Sequence, residues 1–214
     1  MDAIITAIIG IAGLLIGYKI PEISYKIIEY KKGKDNLIKS KEKLYVNVLF
    51  CIVNGIVWFY SFYNLNSIFY AVLIAIQITL GLIVAYIDVK IRIIPNELVL
   101  SMLVLGFIFQ ITYFGFKALL GAIISMIVMM IVFTAVAGFV GFSKVGAGDV
   151  KLAGAMGLSL GYPLITSAIG VMVIALLGFI ITGMALKKIY LSTMLPFAPF
   201  MIIGYIVALG SLII

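Results

Sequence analysis

Histidine is absent from the 214 residues, and cysteine occurs once, as Cys51. Without an imidazole no Ser–His or Cys–His nucleophile pair can form, and zinc loses a principal ligand; a lone thiol cannot close an intrachain disulfide. Cys51 lies inside an apolar segment and reads as packing. Charge is equally scarce, at 11% of residues against 65% hydrophobic, with a mean hydropathy of +1.31. That balance excludes an ordinary soluble core and describes an integral membrane protein. Several charge-free stretches reach the roughly 20 residues that a helix needs to cross a bilayer. Because backbone groups in lipid must be satisfied internally, the fold expected is an all-α polytopic bundle rather than a barrel.

What is present then falls into segments. The apolar run 3–17 follows Asp2, where a signal peptide would be basic, and no small-residue cleavage site follows it. It is expected to be a retained transmembrane helix. Residues 18–44 are the one extended polar stretch, with Lys19, Lys26, Lys31, Lys32, Lys34, Lys39, Lys41 and Lys43. They read as a basic cytoplasmic loop or small amphipathic cap at the membrane surface. Further apolar segments occupy 45–62, 67–87, 97–115 and 118–140, then a short helix 150–160 closed by Gly161, Tyr162 and Pro163, then 164–186 and 195–214. About eight helical segments result, six to eight of them full spans, in one membrane domain over 1–214. The helix over 150–160 would be only about 17 Å long, too short for a bilayer, and is expected to pack inside the bundle.

With 18–44 in the cytoplasm, alternation places the loops at 88–96, 141–149 and 187–194 on the same side. Every Lys and Arg except Lys117 then lies inside. This is the positive-inside asymmetry, so the net charge of +7 reflects orientation and contact with anionic lipids. Nucleic acid is not needed to explain it.

Against this background the aspartates stand out. There are four, and Asp2 and Asp35 lie at the amino terminus and in the polar loop. Asp88 ends a long apolar stretch, and Asp149 opens a helix after the turn "GAGD"; the topology puts both at the cytoplasmic membrane boundary. As single residues they read as helix-end features, Asp149 capping its helix and Asp88 pairing with Lys90 or Arg92. As a pair they read as an aspartyl dyad sharing one proton, one carboxylate activating water while the other polarises a scissile carbonyl. Such chemistry requires no histidine, metal or cofactor. Gly146 and Gly148 fit it by removing Cβ atoms beside the acid, which allows unusual backbone angles and lets an extended substrate approach. The helix dipole predicts that Asp149, at a helix start, is the easier of the two to ionise, leaving Asp88 as the proton carrier.

Three ordered motifs, "DVKIRIIPN" (88–96), "GAGDVKLAGAMG" (146–157) and "PFAPFMIIG" (196–204), resemble the type IV prepilin peptidase family of GxGD-type membrane aspartyl proteases. The resemblance extends from about residue 67 to 210. It implies that Asp88 and Asp149 are catalytic, with Gly146, Gly148, Lys151, Pro95 and Asn96 in the active-site loops. Pro95 and Asn96 would restart a helix directly after the first acid; Lys151 would steady a carboxylate or mark the cytoplasmic face. The implied substrate is a prepilin or preflagellin-like protein of a type IV pilus or archaeal flagellum, cut just before its hydrophobic helix. Many bacterial members also carry a zinc-binding insertion with paired cysteines and methylate the new amino terminus. The segment 18–44 stands in that place without cysteine or histidine, so the zinc module is not expected and methyl transfer is put in question.

Other function classes remain open on the residues alone. Intramembrane acids also mark ion or proton pathways in transporters, and small-residue stripes such as Gly154 and Gly157 would suit a packing scaffold. Ser143 beside Lys144 is a weaker motif, since no Ser–His pair can form.

Overall fold

A computed structural model describes residues 3–32, 44–140, 146–187 and 195–213. These residues are helical throughout apart from short turns, and no strand occurs among them. Six helices are long and apolar enough to cross a membrane, which makes this a multi-pass membrane protein. The packing falls into two compact units, Met1–Arg92 with Leu212–Ile214, and Ile93–Ser211.

The first unit contains α1 (Ala3–Lys32), α2 (Leu44–Asn64) and α3 (Ile68–Ile91). Lipid gives helices little hydrophobic reason to associate, so close backbone approach and polar bonds must hold them. Both are visible here. Gly10, Gly13 and Gly17 on α1 face Phe59, Trp58 and Phe50 on α2, an antiparallel pairing; a Cβ at Gly17 would lie 2.5 Å from the Phe50 carbonyl oxygen. Asn54 Nδ2 donates to the Gly13 carbonyl at 2.8 Å. Thr79 Oγ1 of α3 lies 2.8 Å from Asn54 Oδ1 and 2.7 Å from the Ala75 carbonyl, its single proton serving one of them, and accepts from Trp58 Nε1 at 3.1 Å.

The expected loop from residue 18 is corrected in its first half. The first helix does not stop at 17 but runs on to Lys32 through Pro21, which is tolerated for the loss of one backbone donor. The lysines hide an apolar stripe: Ile20, Ser24 and Ile28 recur every fourth residue and are buried, while Lys26 pairs with Glu22 at 3.1 Å on the outer face. Thirty residues make a helix of roughly 45 Å, so one end extends beyond a hydrocarbon core of about 30 Å. The remainder of the polar stretch, 33–43, lies outside the described residues, as do Ser143 and Lys144.

The second unit contains α4 (Asn96–Phe109), which continues into a π-helical turn at Gln110–Phe114, then α5 (Phe116–Val140), α6 (Ala147–Leu160), α7 (Leu164–Ala185) and α8 (Ala198–Gly210). Helix α6 is its centre: residues 152–161 are all buried. Small side chains make that possible. A Cβ at Gly157 would lie 2.8 Å from both Met126 Cα and the Ser125 carbonyl oxygen of α5, and one at Gly106 of α4 would lie 2.7 Å from Ser159 Cβ. Buried polar bonds fix the far end of α6, where Gln110 Nε2 donates to the Ser159 carbonyl at 2.8 Å and Ser159 Oγ lies 2.7 Å from the Tyr205 hydroxyl of α8. Gly161 then ends the helix at φ 61°, a left-handed value that glycine adopts without penalty. This matches the short interior helix anticipated over 150–160, extended by three residues at its start.

These contacts separate glycines that fill a steric need from those that do not. Gly157→Ala is expected to destabilise the folded protein in detergent by about 1–3 kcal/mol, because the backbone of α5 must move. Gly178→Ala on α7, where a Cβ meets nothing within 4 Å, should leave the thermal unfolding midpoint unchanged or slightly raised.

Candidate active site

Asp88 sits in the last turn of α3, among the most thoroughly buried of the long helices, with only 5% of its surface exposed. The chain leaves that helix abruptly. Arg92 adopts a left-handed conformation at φ 54°, ψ 39°, and its N–H donates to the Asp88 carbonyl at 2.8 Å. Such a conformation is uncommon outside glycine and marks a sharp turn. Lys90, one of the cations sequence reasoning pairs with Asp88, lies over the rings of Tyr25 and Tyr86 at 5.9 and 5.5 Å.

In the second unit, Asp149 is the third residue of α6 and Gly146 is the capping residue before it. Asp149 is therefore not the cap itself; its carboxylate reaches back, Oδ2 accepting the Gly146 N–H at 2.9 Å. This satisfies one of the donors that every helix start leaves free. The other oxygen, Oδ1, is buried and has no hydrogen-bond partner among the described residues. A carboxylate with one satisfied and one orphaned oxygen is unusual, since buried polar atoms are nearly always paired.

The two glycines act differently from expectation. Gly146 has φ −80° and Gly148 is not among the residues of positive φ, so neither needs a glycine-only backbone. The need at Gly148 is for space: a Cβ there would lie 2.9 Å from Ile94 Cβ, so the first turn of α6 rests directly on the segment leading into α4. At Gly146 a Cβ would make only ordinary contact, 3.5 Å from Asp149 Oδ2. Pro95 takes the capping position of α4 at φ −65°, ψ 126°, one place earlier than the first helical turn, and Asn96 opens the helix. Lys151 Nζ donates to Asn96 Oδ1 at 3.0 Å, tying the start of α6 to the start of α4. Sequence reasoning offers Lys151 a carboxylate; the structure gives it this neutral amide.

Burial opposes the ionisation that a helix start favours at Asp149, which belongs to none of the six spans. Removal from water raises its pKa above the usual 3.8, and the bond from Gly146 offsets only part of that rise. The helix-start dipole, on which the expectation of an easily ionised Asp149 rests, is the weaker influence on a carboxyl only 9% exposed. Among the described residues no three His, Cys, Asp or Glu side chains come together as a metal site.

The sequence model of the type IV leader peptidase family matches residues 75–187, just over half of the chain. The chain belongs to this family. Among curated proteins it is similar to a prepilin leader peptidase/N-methyltransferase from Pectobacterium carotovorum subsp. carotovorum, 31% identical over 128 residues, which are 58% of this chain and 45% of that protein. The chain thus spans about half the length of this relative. No solved structure matches it. Asp88, Pro95, Asn96, Gly146, Gly148, Asp149 and Lys151 all fall inside the leader peptidase match, and the third motif, 196–204, lies beyond it. There Phe197 caps α8, which runs from Ala198 and carries Tyr205. The polar cluster of Gln110, Ser159 and Tyr205 that anchors α6 was not picked out from sequence; its available signal was a lone amide in an otherwise apolar segment.

Two outcomes follow from this geometry. Gly148→Ala should lower the thermal unfolding midpoint measurably while Gly146→Ala should not, because only the former displaces Ile94. The raised pKa of Asp149 means that the native state keeps a proton that the unfolded chain loses above pH 3.8. Stability should therefore fall as pH rises from 3.8 through the raised value. In Asp149→Asn this component of the pH dependence of the unfolding midpoint should be missing.

Proposed function

We propose that this member of the family is a membrane aspartyl endopeptidase that removes the leader of prepilin or preflagellin-like proteins. In this reading Asp88 and Asp149 form one dyad, and the observation that carries it is the buried, unpartnered Oδ1 of Asp149 at the opened start of α6. Oδ2 is held by Gly146, so the free oxygen is the one placed to hold the shared proton. Burial pushes the pKa of Asp149 up, the direction that favours holding a proton there. Two neighbouring carboxyls cannot both ionise without a large Coulombic penalty, and the pair titrates jointly.

The chemistry then requires only the two acids and water. The ionised carboxylate takes a proton from water as its oxygen attacks the scissile carbonyl, while the protonated partner hydrogen-bonds to the developing oxyanion. Collapse of the tetrahedral intermediate breaks the C–N bond, and the proton gained from water passes to the departing amine. The leader would be cut at the cytoplasmic face of the cell membrane, where the positive-inside distribution places 88–96 and 141–149. The polar stretch that follows α1 would serve as a basic cap in a single protease domain. A transporter would use such an acid between two half-helices, whereas Asp149 lies in the first turn of a complete helix.

Asp88→Asn and Asp149→Asn are each expected to abolish cleavage of a prepilin substrate by the purified protein, with helical content and detergent-solubilised size unchanged. Cleavage by either variant within about tenfold of the wild-type rate would remove the dyad.

A further inference from the structure

A cleft of about 320 Å³ lies in the second unit between α4, α5 and α6. Asn96 and Lys151 form one end, and Leu100, Leu103, Met126 and Met130 line its length. Helices α4 and α6 start at the same end, where Lys151 bonds Asn96, and meet again at Gly106 and Ser159, so they run side by side. The cleft follows them from a cationic mouth into an apolar interior. From Asn96 to Leu103 that is about 10 Å along α4.

An elongated apolar cleft that ends at a cation matches an extended hydrocarbon chain with an anionic end. The methionines suit it, since their flexible thioethers adapt to a chain of variable shape. Lys151 is exposed, and among the described residues its ammonium has only the neutral Asn96 oxygen as a partner and no carboxylate within ion-pair distance. Its charge is left for an anion, and two of its three N–H donors remain. The cleft lies on helices that are apolar on their outer faces, with Leu100 61% exposed, so the molecules bathing it are bilayer lipids.

We propose that this cleft is a binding site for one anionic phospholipid, with an acyl chain along Leu100, Leu103, Met126 and Met130 and the headgroup phosphate on Lys151. The site stands apart from the peptidase reading: it requires neither aspartate to act. A zwitterionic lipid presents a cation of its own beside the phosphate and is a poorer match for Lys151. The phosphate would also lie over the start of α6, two residues from Asp149, so occupancy would steady the turn that presents the acid.

The test uses the full chain in nanodiscs with phosphatidylglycerol or phosphatidylcholine carrying a photoreactive diazirine in the acyl chain, followed by mapping of labelled residues. Labelling within 100–130 should be several-fold higher with phosphatidylglycerol. Lys151→Gln should remove that preference and Lys151→Arg keep it, with labelling of the outer face of α7 unchanged in both as a control for folding. Asp149→Asn should label like wild type, whatever its effect on cleavage. Equal labelling of the cleft by the two lipids, or an undiminished preference in Lys151→Gln, would overturn the proposal.

Discussion

A helical stretch buried on every side has to be approached closely all round, and in the second unit that stretch is 152–160 of α6. It is too short to span a bilayer and is mostly shut in by other helices, so its place depends on what its neighbours can touch. Gly157 against the backbone of α5 and Gly106 of α4 against Ser159 set how near the helices come. The Gln110, Ser159 and Tyr205 bonds then fix its far end, and Lys151 with Asn96 its near end. In a membrane, where apolar surface gives helices little reason to associate, this combination of close backbones and a few polar bonds is what defines a unique packing.

That same enclosure gives Asp149 its character. The start of a helix favours negative charge by some tenths to 1 kcal/mol at exposed sites, whereas withdrawing a carboxylate from water opposes ionisation far more strongly. Gly146 satisfies one oxygen and nothing described satisfies the other. The acid is thus kept in a state that a proton, a water or a substrate would relieve.

Much of this was legible in the sequence, and the exceptions have physical causes. Long charge-free runs announce helices because lipid permits little else, so the ends of the segments 45–62, 67–87 and 164–186 lie no more than four residues from those of α2, α3 and α7. The interruption at Gly161, Tyr162 and Pro163 likewise marked the end of α6. The extension of α1 was hidden because Lys19, Lys26 and Lys31 dominate composition there, while burial follows Ile20, Ser24 and Ile28. The two acids and the glycines stood out in the sequence as candidates. The roles of the glycines could not be read there, since spacing carries no information on whether a Cβ would strike Ile94. Nor could the acidity of Asp149, which depends on how completely other helices enclose its carboxyl.

Whether Asp88 and Asp149 work as one site is tested most directly by replacing both with cysteine in a Cys51→Ala background and treating native membranes with a short bifunctional thiol reagent. A shared site predicts efficient intramolecular bridging of the double variant, read as a mass gain of one linker with no free thiol. If each single cysteine reacts with a monofunctional thiol reagent but the pair is never bridged, the two acids do not meet and the dyad is contradicted.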